Sequence, residues 1–156
     1  MRIALLSALL AVGLVACWRL TKEDAMKPKL AGKPLGSVPA QVTQRDPSGM
    51  TPDDWKKTLT PDQYRVLRGG GTESPGTGNL LNEARKGTYV CGACGAALFA
   101  SETKYEACDW PSFWDAIPGA VALRNDGGAQ EAVCSKCESH LGHLFDDGPP
   151  PTGKRY

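Results

Sequence analysis

The sequence predicts a loop-rich, mainly β domain, and three observations predict it. Glycine and proline are plentiful, 18 and 12 of 156 residues, and both interrupt regular structure. Apolar residues seldom recur at helical spacing; they gather instead in short runs bounded by turn residues. Two Cys-x-x-Cys pairs, Cys91/Cys94 and Cys134/Cys137, each follow directly on such a run, so each reads as a turn at the end of a strand. The length allows one ordinary domain plus an N-terminal extension. The formal net charge is +1, with acids and bases interspersed and no basic stripe, which argues against a nucleic-acid partner.

The extension comes first. Arg2 followed by the apolar run Ile3–Val15 reads as an export signal, too short for a spanning helix of about 18 or more apolar residues. Leu14-Val15-Ala16-Cys17 has the form of a bacterial lipobox, in which cleavage precedes the cysteine and Cys17 takes the lipid. Residues 1–17 are thus expected to be a lipoprotein signal. The mature protein would be exported to the bacterial cell envelope and lipid-anchored, facing the periplasm or the exterior. A plain secretory signal and an uncleaved anchor are the other readings. Residues 18–50, rich in lysine, proline and small polar residues, read as a tether.

The folded domain is expected over 51–156. Thr51-Pro52-Asp53-Asp54 combines an N-cap, a proline at the first helical position and acids in the first turn, so a short helix should run to about Leu59. Thr60-Pro61-Asp62-Gln63 repeats the signal with Gln63 placed for a capping box, and the second helix should end at Gly69–Gly71. Both helices should lie outside the sheets. Gly76–Gly87 reads as a loop, Thr88–Val90 and Ala97–Phe99 as strands around the first cysteine pair. Ala120–Leu123 and Gln130–Val133 read as a hairpin across Asn125-Asp126-Gly127-Gly128, delivering the chain into the second pair.

Cys91, Cys94, Cys134 and Cys137 form the ligand set of a closed tetrahedral Zn2+ site. Four thiolates leave no open position for water, so the metal would be structural. Disulfides or redox dithiols are the oxidative alternative outside the cytoplasm. Cys108 remains alone, either a reactive thiol or a small buried hydrophobe. His140 and His143 could merely pack against the second knuckle.

These residues, taken in order, have a family likeness. Leu59-Thr60-Pro61-Asp62-Gln63-Tyr64-Arg65-Val66-Leu67, Gly71-Thr72-Glu73, Gly87–Cys91, Trp110-Pro111-Ser112-Phe113, His140-Leu141-Gly142-His143, Asp147-Gly148-Pro149 and Gly153-Lys154-Arg155-Tyr156 stand in the order and spacing of the B-type methionine-R-sulfoxide reductases. From Trp55 to Tyr156 the chain resembles that family. The resemblance implies two antiparallel sheets in a β-tent-like fold, with structural zinc remote from the chemistry. It also implies reduction of peptide-bound methionine-R-sulfoxide in oxidised proteins, served by a thioredoxin-like reductant, and the protein is expected to be a monomer. By the same resemblance Trp110 shelters the substrate methyl group and His140 and His143 line the pocket. Asp147 is then a supporting acid, Arg155 stands beside the nucleophile, and Cys108 is the recycling cysteine.

Sulfoxide chemistry suits such a set. The oxygen must be hydrogen-bonded or protonated to make sulfur electrophilic, a task for histidine near neutral pH. A soft nucleophile must then attack, helped by a neighbouring cation. In the family that nucleophile directly follows the Arg-Tyr pair. The reading is therefore a C-terminally truncated domain whose nucleophile, expected to be selenocysteine, comes next after Tyr156. A truncated cysteine enzyme is the variant reading. The alternative from another class is a catalytically inactive, zinc-stabilised binding lipoprotein.

Overall fold

A computed structural model describes residues 44–107 and 109–156. The expected signal with Cys17, residues 18–43 of the expected tether, and Cys108 lie outside the described residues.

Two short helices open the domain. α1 (Pro52–Thr58) and α2 (Pro61–Leu67) begin in capping boxes: Thr51 with Asp54, and Thr60 with Gln63. Each box satisfies two amide groups that a helix start would leave unbonded, worth about 1 kcal/mol per cap. α2 lies outside the sheets and buries no residue fully, whereas α1 reaches into the core. α1 drives Trp55 and α1's C-cap drives Leu59 into the core, and the Arg68 guanidinium lies 5.1 Å over the Trp55 ring. Upstream of Thr51, Met50 packs against the same core.

The strands are β1 (Thr88–Val90), β2 (Ala97–Ala100), β3 (Lys104–Tyr105), β4 (Ser112–Phe113), β5 (Val121–Asp126), β6 (Ala129–Cys134) and β7 (His140–Leu144). β1 pairs with β2, β3 with β4, and β5–β6–β7 form a meander, all antiparallel. β5 and β6 run further than the composition suggested, because Asn125 and Asp126 stay in the ladder. The turn is only Gly127-Gly128, with φ of 57° and 100°, a conformation that glycine adopts without steric cost.

Arg155-Tyr156 is the seam of the fold. The amide and carbonyl of Arg155 exchange hydrogen bonds with Phe145, just beyond β7, at 2.8 and 2.9 Å. Those of Tyr156 exchange with Phe113 of β4 at 2.9 and 3.1 Å. Successive residues of an extended chain point their backbone groups to opposite sides. This dipeptide therefore joins β3–β4 to β7–β6–β5 in one ribbon, leaving β1–β2 as the second sheet.

The core lies on one face of that ribbon. Phe99 stacks on Phe113 at 4.4 Å, Tyr89 meets Phe113 edge-on at 4.7 Å, and the Tyr156 ring lies 5.9 Å from Phe99. The four knuckle cysteines belong to the same buried cluster. Lys104 closes the preceding loop: its ammonium donates to the carbonyls of Leu80, Leu81 and Glu83 at 2.7–2.9 Å. Among the described residues no helix is long and apolar enough to cross a membrane.

Candidate metal centre and candidate active site

The two knuckles share one local design. Cys91 N–H donates to Ala96 O and Gly95 N–H to Cys91 O, both at 2.8 Å. Cys134 N–H donates to Ser139 O at 2.9 Å and Glu138 N–H to Cys134 O at 2.8 Å. The equivalent turn positions, Gly95 and Glu138, have φ of 75° and 57°. An arginine ties each knuckle from outside. Arg45 donates to the carbonyls of Cys94 (backbone, 2.9 Å) and Ala93 (guanidinium, 2.7 Å), and Arg68 to the Cys137 carbonyl at 2.7 Å.

The four thiols converge. All Sγ atoms lie within 4.8 Å of one another, and Cys91–Cys137 and Cys94–Cys134 are each 3.7 Å apart. A tetrahedron with Zn–S bonds of about 2.3 Å has S···S edges of roughly 3.8 Å, so the donor set fits zinc. The Cys137 thiol is held well below its usual range by hydrogen bonding with Cys91 and Ser139, one step toward the thiolate a metal requires. All four residues are buried, so the centre ties the two knuckles together rather than presenting metal to a substrate.

The candidate active site occupies the opposite face of the ribbon. Strand alternation decides this. On β6, Cys134 turns to the metal while Glu131 and Val133 turn away; on β4, Phe113 enters the core while Ser112 turns away. Arg124, Glu131 and His143 are register partners across β5, β6 and β7, and so share a face. His140 lies three positions from His143, which strict alternation would put on the other side. A bulge corrects this: Ala132 pairs with Gly142 and Val133 with His140, making Leu141 the extra residue, and Gly142 has a φ of 145°. The two imidazoles end 5.6 Å apart.

Carboxylates orient both rings. Glu131 lies 2.7 Å from His140 Nδ1 and also pairs with Arg124 at 3.2 Å; His140 and Arg124 together hold the Glu131 carboxyl below its ordinary range. Asp126 lies 2.9 Å from His143 Nε2. Further along the face, Arg155 grips Asp147 with two bonds, Nε–Oδ1 at 2.8 Å and Nη2–Oδ2 at 2.9 Å, and lies 4.1 Å over the Phe145 ring. The pair lowers the Asp147 carboxyl and raises the Arg155 guanidinium, so both stay charged. Gly148 makes the loop between them possible: a Cβ there would fall 1.8 Å from the Lys154 carbonyl.

The structure therefore gathers His140, His143, Asp147 and Arg155 on one face, all of them singled out by the sequence. Trp110 stands at 38% exposure two residues before Ser112, its indole N–H bonded to the Glu73 carbonyl at 3.0 Å. Cys108 lies outside the described residues. Sequence reasoning missed Glu131, Asp126 and Phe145. Only the strand register reveals them, because each acts on a residue far along the chain.

The SelR domain family matches residues 59–156. The chain belongs to this family, the B-type methionine-R-sulfoxide reductases. A peptide methionine sulfoxide reductase MsrB of Methanosarcina barkeri is 54% identical over 110 residues, covering 67% of this chain and 78% of the relative. One of Leptospira interrogans is 53% identical over 110 residues, covering 67% and 84%. One of Methanosarcina mazei is 54% identical over 110 residues, covering 67% and 79%. In this B-type chain the four sulfurs and the histidine–arginine face both fall inside the matched domain.

Proposed function

We propose that this protein repairs oxidised proteins by reducing peptide-bound methionine-R-sulfoxide to methionine with a thiol reductant of thioredoxin type. One observation carries the reading. In a chain of this family, two carboxylate-oriented histidines and the Arg155–Asp147 pair share a face of the ribbon, away from the metal. His140 and His143 can donate to the sulfoxide oxygen and make sulfur electrophilic. Trp110, with its ring anchored through Glu73 and partly exposed, is suited to shelter the methyl group.

We place the nucleophile at the position directly after Tyr156, as the family likeness implies. With Phe113 and Tyr156 paired, a strand continuing in register would set that residue opposite Ser112, on the face of Arg155. The Arg155 cation favours an anionic chalcogenide, and we read the residue as selenocysteine because a selenol is more acidic than a thiol. The chalcogenide attacks sulfur as the oxygen is protonated; the S–O bond and the new chalcogen–sulfur bond then break as the hydroxyl passes to the chalcogen, which releases methionine and leaves a selenenic (or, with cysteine, sulfenic) acid. The Cys108 thiol condenses with it, releasing water, and the external dithiol reopens the bond by exchange. The buried zinc holds the strands and takes no part in these steps.

The reading extends to location on sequence grounds alone: lipid on Cys17 would hold the enzyme, as a monomer, at the bacterial envelope. The test of function is protein carrying the proposed residue after Tyr156, expressed with selenium and assayed on both sulfoxide epimers. Turnover of the R epimer alone, a selenium-containing mass, and losses in kcat/KM above about tenfold in Trp110→Ala and His143→Ala support the proposal. A cysteine at that position removes the selenium reading only. Equal turnover of both epimers, or neither variant changing kcat/KM beyond threefold, overturns the site.

A further inference from the structure

Among the described residues, one buried side-chain polar atom has no hydrogen-bond partner. The Tyr105 hydroxyl is buried and makes no hydrogen bond. A buried hydroxyl without a partner costs roughly 1–3 kcal/mol, so such a group normally marks a bound water or a ligand.

Its place in the fold says which side it serves. β3 pairs with β4 so that Tyr105 stands opposite Ser112 and Lys104 opposite Phe113. Lys104, Phe113 and Tyr156 form the row toward the core; the Lys104 ammonium lies 5.4 Å from the Tyr89 ring centroid, against the aromatic cluster. Tyr105 and Ser112 therefore belong to the other row, on the face that carries Arg155, Phe145 and the two histidines. Ser112 is small and is 5% exposed, which leaves room for a long side chain to lean across β4. Tyr105 is close enough to Arg155 and Asp147 to feel both charges. Burial pushes its phenol up to about 12, with Asp147 adding to this and Arg155 opposing it, so at neutral pH the group is a hydrogen-bond donor.

We propose that Tyr105 is a substrate-binding residue of this site, its hydroxyl donating to the sulfoxide oxygen and so distinguishing methionine sulfoxide from methionine. A sulfide offers no comparable acceptor. A site built to pair with a polar group disfavours the analogue lacking it, since its own donor is then left unpaired. The inference rests on the proposed function and deepens it.

Binding can be measured directly, apart from turnover. N-acetyl-methionine-R-sulfoxide methylamide and the corresponding methionine amide are titrated by NMR into the parent and into Tyr105→Phe, with thermal melts alongside. The parent should bind the sulfoxide more tightly than the sulfide. Tyr105→Phe should lose about three- to tenfold in sulfoxide affinity while sulfide affinity holds and Tm stays level or rises, since an unpaired buried hydroxyl has been removed. In the parent with tyrosine labelled at Cζ, one resonance should shift with sulfoxide and not with sulfide, which settles the matter should the variant melt early. A parent that prefers sulfoxide, with Tyr105→Phe preferring it equally and the Cζ resonance silent, overturns the role of Tyr105 and leaves the function standing. A parent with no preference for sulfoxide overturns both.

Discussion

The two faces of the ribbon are built on opposite plans. The metal face consists of two copies of one six-residue turn, each closed by its own backbone hydrogen bonds, Cys91 with Ala96 and Cys134 with Ser139. Each knuckle forms from neighbours in sequence, and only their meeting is long-range. The histidine face has no such local unit. His143 depends on Asp126, His140 on Glu131 and Arg155 on Asp147, and the face exists only once β5, β6, β7 and the Arg155-Tyr156 seam are in register. Burial differs in the same sense: Cys91, Cys94 and Cys134 are 0% exposed, whereas the His143 and Arg155 side chains are each 30% exposed. The metal face stores stability, while the histidine face is mixed: His140 is buried at 7% exposure, and His143 and Arg155 are partly solvated.

That contrast can be broken from either side. The largest effect is expected from the metal. Structural zinc in small domains contributes on the order of 10 kcal/mol, comparable to the whole stability of a domain this size. Chelation, or Cys91→Ser, should abolish cooperative thermal unfolding, and the parent should carry about one zinc per chain by elemental analysis. A metal-free protein with an unchanged melt would show that the knuckles hold by other means.

Gly148→Ala should do the converse, damaging the histidine face and sparing the metal. The clash is with backbone, the Lys154 carbonyl at 1.8 Å, so the 148–153 loop must open and the Gly148–Gly153 hydrogen bond of 2.9 Å must break. A loss of about 2–4 kcal/mol by urea unfolding is expected, with zinc content unchanged. Loss of zinc together with stability would mean that the two faces fold as one unit.

A smaller effect concerns acid. The Glu131 carboxyl is depressed by its bond to His140 and by Arg124, against the opposing effect of burial. A carboxyl with a folded-state pKa below the unfolded one contributes stability above its ordinary range, about 4.3, and loses it as pH falls through the folded value. The parent should therefore exceed Glu131→Gln in urea midpoint at pH 7, and the gap should close below about pH 4. A constant gap across that window would assign the effect to packing instead of charge.

The smallest change is a cap. Thr60→Ala removes the side-chain acceptor for Gln63 N–H and should cost about 1 kcal/mol, a few degrees in Tm, leaving zinc content and sulfoxide binding alone. It calibrates the other measurements, because the lost hydrogen bond lies wholly within residues 60–63 at the start of α2.

Features determined by near neighbours were legible in the sequence alone. The capping boxes at Thr51 and Thr60, the glycine turn of the hairpin, and the local turn of each knuckle rest on residues a few positions apart, whose geometry the chain enforces locally. Four of the face residues, His140, His143, Asp147 and Arg155, were reached through family likeness rather than through spacing. By spacing, the two histidines would have fallen on opposite faces of a strand. Tertiary structure alone decided the rest: the bulge at Leu141 that brings them together, the choice of Glu131 and Asp126 as their partners, the seam at Arg155-Tyr156, and the unpaired hydroxyl of Tyr105. Each depends on strand register, and register is set by the packing of side chains distant in sequence; a one-residue slip would send every one of these groups to the other face.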